Sequence, residues 1–257
     1  MESHANPEGR MRTIPAAALL LLPALAAVAA EPAAPAPGPD YFPLVRGSEW
    51  VYATDLPQGD WIVQALHPES ISSRAPSHHD LHSHGGEPPA GEAKDEKIEH
   101  LVFYRSITAT SPGRSQQVTI GKEWFRRDED GEVLCGRRQV LKDPVYTDPP
   151  QVLLPAAPRP GKTWTWSGTV ADDTSKIDGV VEAEETVKVP AGEFKALRVR
   201  VETTTSRGRG RATRWYAAGV GLVKEEVEIA VKDGPPARTR AELKSWRIGP
   251  PAEAGGR

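Results

Sequence analysis

The tightest constraint on this chain is a period of two. From Val187 to Ile229 apolar and polar residues alternate: Val187 and Val189 around Lys188, then Leu197, Val199 and Val201 around Arg198 and Arg200. Val223, Val227 and Ile229 continue it, with Lys224, Glu226 and Glu228 directed to water. Side chains leave a strand on alternate faces, so this pattern turns one face to a core and the other to solvent. Pro190-Ala191-Gly192 interrupts the first two runs and Ala217-Ala218-Gly219 follows Trp215-Tyr216, which predicts three or four antiparallel strands. No window of about eleven residues keeps apolar positions at helical spacing without Pro or Gly, so no amphipathic helix is expected.

The same grammar extends to both sides. Trp50 and Tyr52 share one face of a strand that follows Tyr41-Phe42-Pro43-Leu44, and Trp61 to Leu66 is a second strand. Ile98–Thr108, Val118–Ile120, Glu123–Phe125, Val133–Leu141, Trp164–Val170 and Arg238–Trp246 supply the others. Pro160-Gly161 followed by Trp164 and Trp166 repeats the earlier order of turn and paired aromatics. Those four aromatics could form a ligand-stacking platform, but roofing a core is the reading favoured. Six prolines between Pro144 and Pro160 predict an irregular crossing between two halves. The fold expected is all-β, an antiparallel barrel or curled half-barrel of about ten strands, because closure hides strand edges.

The ends read differently. Arg10 and Arg12 precede an apolar run from Ile14 to Ala30 that finishes in small residues, which predicts a secretory signal peptide over residues 1–30. The run is short for a membrane span, so no transmembrane segment is expected after cleavage, and no cysteine follows it to carry lipid. The expected address is the periplasm or the medium. Residues 31–40 form a Pro/Ala linker, 41–248 a single all-β domain, and 249–257 a disordered tail. The one cysteine, Cys135, cannot make an internal disulfide and sits as a small apolar strand residue, so the core must supply stability. The formal charge of -3 argues against a nucleic-acid partner.

Chemistry is scarce. Residues 67–97 read as a disordered loop holding five of the seven histidines. Within it His78, His79, Asp80, His82 and His84 offer enough donors for weak binding of Zn, Ni or Cu, although flanking Ser, Gly and Pro hold nothing at fixed distance. Arg207, Arg209 and Arg211, with Arg214, could meet an anion, but a soluble hairpin tip explains them as well. The adjacent acids Asp172 and Asp173, or Glu184 and Glu185, would serve a hydrolase only if both reached one substrate, and neighbours on a strand point apart. The function expected is therefore a non-enzymatic binding or scaffold domain for an apolar small molecule, a lipid or an envelope partner.

Four motifs in order carry a family resemblance: Tyr41-Phe42-Pro43-Leu44 with Gly47, Trp50 and Tyr52; Val189-Pro190-Ala191-Gly192 with Phe194 and Ala196 to Val199; Trp215-Tyr216-Ala217 with Gly219 to Lys224; and Glu242-Leu243 with Ser245-Trp246. Together they resemble the TapB-like family of exported bacterial proteins across most of the chain after residue 40. The resemblance implies an exported all-β protein with a barrel-like sheet, and it carries over no catalytic residue. The His-rich loop departs from the family pattern.

Overall fold

Each strand pairs antiparallel with its neighbour in sequence, and the first also pairs with the last, so the sheet closes into a barrel. The computed structural model describes residues 38–57, 59–72, 97–111, 114–140, 143–171, 173–231 and 235–250. The strands are β1 (Glu49–Thr54), β2 (Trp61–Ser72), β3 (Lys97–Ser111), β4 (Arg114–Arg127), β5 (Val133–Val140) and β6 (Asp143–Leu154). They continue with β7 (Thr163–Val170), β8 (Asp173–Val189), β9 (Gly192–Thr205), β10 (Gly208–Ala217), β11 (Gly221–Val231) and β12 (Ala237–Arg247). The all-β antiparallel barrel expected from the alternation is what the chain forms, with twelve strands and no helix among the described residues.

Closure follows from the sequence in two ways. Inward positions of the long strands are mostly apolar, with Val181, Val199, Val223 and Leu243 fully buried and Leu197 nearly so. Register shifts at Val51/Tyr52, Ala65/His67, Trp124/Phe125 and Trp215/Tyr216 bend the strands they interrupt.

Three local expectations are corrected. The stretch from His67 to Ser72 is not loop: it continues β2, with Pro68 opposite Leu101 and Ile71 opposite Ile98. Ile71 is 7% exposed and packs with Val102 and Trp124, a long-range contact that outweighs Pro68 and the polar residues beside it. Residues 143–154 are likewise a strand and not a crossing between halves. β6 tolerates its prolines because it pairs with β7 only at Thr147 opposite Val170 and Asp148 opposite Thr169, so few of its N–H groups are required there. The segments around Val118 and Trp124 are one strand, β4, interrupted by bulges.

A short segment before β1 crosses one end of the barrel. Gly219 in the β10–β11 turn donates its N–H to the Asp40 carbonyl at 2.7 Å, and Arg127 at the end of β4 donates to Asp40 Oδ1 at 2.8 Å. Phe42 then drops onto Phe103, Phe125 and Tyr216, with ring centroids 5.2–6.3 Å away. Gly221, at φ 95°, lets Pro43 approach; a Cβ there would meet the proline ring at 3.3 Å.

Candidate functional site

Beneath Phe42 the interior is not filled. A cavity of about 110 Å³ remains, several times the space one water needs. Its walls come from β1–β6 and β10–β12, and only the inside of the barrel brings β5 and β10 to one space. One flank is aromatic: Trp50, Tyr52, Trp61, Phe103, Phe125 and Tyr216. The polar ends of two of these rings are satisfied by the chain. Trp50 Nε1 donates to the Val220 carbonyl at 2.7 Å, and the Tyr52 hydroxyl donates to the Leu222 carbonyl at 2.9 Å. Their apolar faces are thereby left to the cavity.

The other flank is charged. Arg105, Glu123, Arg138, Arg214 and Glu225 all line the cavity. Arg214 Nε lies 2.7 Å from Glu225 Oε1 across the β10–β11 pair, and their side chains are 21% and 13% exposed. Glu123 is shared, with Arg105 Nη2 at 3.3 Å from one carboxylate oxygen and Arg138 Nε at 3.4 Å from the other. The Arg105 guanidinium also sits 4.6 Å over the Trp61 ring. Burial alone would raise the Glu225 pKa, but Arg214, Arg105 and Arg138 outweigh it and hold the carboxyl below its ordinary value. Burial opposes the Arg214 charge as well, and Glu225 more than offsets it. Three neutral groups complete the surroundings. Burial pushes the Tyr216 hydroxyl up to about 12 and the Cys135 thiol up to about 11, and it raises Tyr52 further still.

Sequence reasoning placed the two halves of this site unequally. Trp50 and Tyr52 line the cavity, whereas Trp166 is core and Trp164 packs against Gly179. The charged cluster was missed, although a signal for it exists. Arg105 follows Phe103 by two, Glu123 precedes Phe125 by two, Arg214 precedes Tyr216 by two, and Glu225 lies between Val223 and Val227. Each is a charge on an apolar-face position, and a buried charge needs a partner inside the same fold.

The other candidates fall elsewhere. His78, His79, Asp80, His82 and His84 lie outside the described residues, as does Asp172. His67 is on β2, its Nε2 3.0 Å from the Tyr104 hydroxyl. Among the described residues no group of three or more His, Cys, Asp or Glu side chains is placed to hold a metal ion. Asp173 accepts the Ser206 N–H at 3.4 Å, Glu184 pairs with Lys195 at 2.8 Å, and Glu185 accepts from Arg198 and the Trp215 indole at 2.9 and 2.8 Å. None of the three lines the cavity. The arginine patch is divided: Arg207 sits in the β9–β10 turn, Arg211 pairs with Glu202 on the strand, and Arg214 points inward to Glu225.

Comparison with known proteins adds a family likeness. Residues 167–228, from β7 into β11, are similar to a family described as DUF3108-like; the TapB-like name is not the one matched. No curated protein of established function matches. Two solved structures are similar: a candidate lipoprotein of Parabacteroides distasonis, at 14% identity and TM-score 0.41, and a candidate exported protein with a YmcC-like fold from Bacteroides fragilis, at 16% and 0.42. Each comparison covers 81% of this chain and 99% of the other.

Proposed function

We propose that this chain is an exported binding protein whose barrel holds one small, largely apolar molecule. The observation that carries the reading is the cavity itself: an unfilled interior walled by seven aromatic residues, Phe42 included, at a place where packing normally leaves no void of this size. Barrels of modest strand number either fill with side chains or keep room for a single ligand. Here the space is kept, and the Trp50 and Tyr52 polar atoms are withdrawn into backbone hydrogen bonds. Export rests on the N-terminal sequence, in which Arg10 and Arg12 precede an apolar run ending in small residues.

The test uses the chain from Glu31 onward, purified without detergent. Organic extraction followed by mass spectrometry should return a small molecule in near-stoichiometric amount. Substituting Ala241→Leu, which fills the cavity from β12, should abolish that recovery at a stability cost of about 1–3 kcal/mol. Wild-type protein that yields no ligand and binds no added apolar molecule would leave a scaffold as the better reading.

A further inference from the structure

The interior charges do not cancel. The cavity is lined by three arginines, Arg105, Arg138 and Arg214, and two glutamates, Glu123 and Glu225, which leaves one positive charge over. The imbalance has a location. Arg214 and Glu225 are a one-to-one pair at 2.7 Å, so the surplus falls on the other side, where the single Glu123 serves both Arg105 and Arg138 at 3.3 and 3.4 Å. Those two contacts are long for charge-assisted bonds, and a guanidinium carries more N–H donors than the one each of them gives to Glu123. Among the described residues no other acid lines the cavity. The Tyr52 and Tyr216 hydroxyls and the Cys135 thiol nearby stay protonated at neutral pH, since burial raises all three. Arg105 and Arg138 are 37% and 27% exposed, so the surplus charge is partly desolvated, and a ligand of opposite sign bound in the cavity would be attracted to it.

Resting on the binding role above, we infer that the ligand is a monoanion: a carboxylate on an apolar body, its head between Arg105 and Arg138 opposite Glu123 and its body among Trp50, Phe103 and Phe125. One carboxylate brings the interior to neutrality. Its two oxygens match the planar donors of the guanidinium groups. A dianionic phosphate monoester would overshoot by one charge.

The experiment compares octanoate, octanol and octyl phosphate by titration calorimetry at neutral pH, on the chain from Glu31 onward. Octanoate should bind at least about tenfold tighter than octanol, the difference expected for hydrogen bonds to a charged partner. Arg138→Gln makes the interior neutral while leaving Glu123 paired to Arg105. That variant should lose far more affinity for octanoate than for octanol, so that the two ligands bind alike. Glu123→Gln adds a second surplus charge, so octanoate should raise its melting temperature more than it raises that of the wild type. Equal binding of octanoate and octanol to the wild type would overturn the monoanion and leave the binding role standing. Tightest binding of octyl phosphate would also overturn it, and binding of none of the three would overturn both readings.

Discussion

Gly179 and Trp164 face each other across β7 and β8, and the pair shows how little slack the wall has. A Cβ on Gly179 would lie 2.3 Å from two carbons of the Trp164 ring, so the indole must move if the glycine is replaced. Gly179→Ala should cost about 1–3 kcal/mol, read as a lower urea midpoint, and most of that loss should vanish in a Trp164→Leu background. Cys135, fully buried with its thiol raised to about 11, should resist iodoacetamide in the native protein and react fully once unfolded. His100 carries a pH dependence. It is 3% exposed, its Nδ1 donates to the Ile98 carbonyl at 2.9 Å, and its Nε2 has no hydrogen-bond partner among the described residues. Burial holds its pKa below 6.5, with Arg126 acting in the same direction and the Ile98 carbonyl opposing. The unfolded chain therefore takes up this proton first, so stability present above 6.5 is lost as pH falls from there through the lower folded value. His100→Gln should make the acid limb of the melting curve shallower over that window. At this scale the sequence was a fair guide to which residues are buried, because parity decides it. It was a poor guide to which buried residues meet, because Arg138 and Arg214 share a cavity only after the sheet has closed.

At the scale of elements, legibility followed the length of clean alternation. β8 to β11 could be read directly, since their inward positions are mostly apolar or small, Arg214 and Glu225 being among the exceptions, and the β8–β9 and β10–β11 turns carry Pro190 and Gly219. β6 and the end of β2 could not, because their prolines point locally to loop while pairing with β5 and β3 makes them strand. The same fact predicts where the barrel is weakest. β6 meets β7 through two opposed residue pairs, helped by the Trp166 indole donating to the Pro149 carbonyl at 3.2 Å. β8 and β9 are paired along nearly their whole length and bear an outer lattice in which Glu182 accepts from both Arg198 and Arg200 at 2.9 and 2.6 Å. Hydrogen exchange should accordingly be fastest over β7 and the end of β6 and slowest in β8 and β9. The outer lattice is solvent-facing, so Glu182→Gln should lower stability by only about 0.2–1 kcal/mol despite its two partners.

For the whole molecule, closure pairs the sheet into a ring, thinnest between β6 and β7, but leaves open ends, and the segment from Asp40 to Pro43 covers one of them. That segment spans the opening, since Gly219 and Arg127, its two backbone and side-chain anchors, stand on the β10–β11 turn and on β4. Its hold is uneven. The Arg127–Asp40 pair is 39% and 48% exposed and should contribute little to overall stability, while Phe42 rests its ring against three others directly above the cavity. A ligand bound below can leave past Phe42, through the opposite end of the barrel or between strands, and releasing a short segment disrupts far less structure than opening a ladder. Arg127→Ala should therefore raise both the association and dissociation rates of octanoate, measured by stopped-flow fluorescence of Trp50 and Trp61, with the equilibrium constant nearly unchanged. Phe42→Ala, which removes part of the cavity wall itself, should raise dissociation more than association and so weaken binding. Unaltered rates in Arg127→Ala would mean that the ligand enters from the opposite end of the barrel.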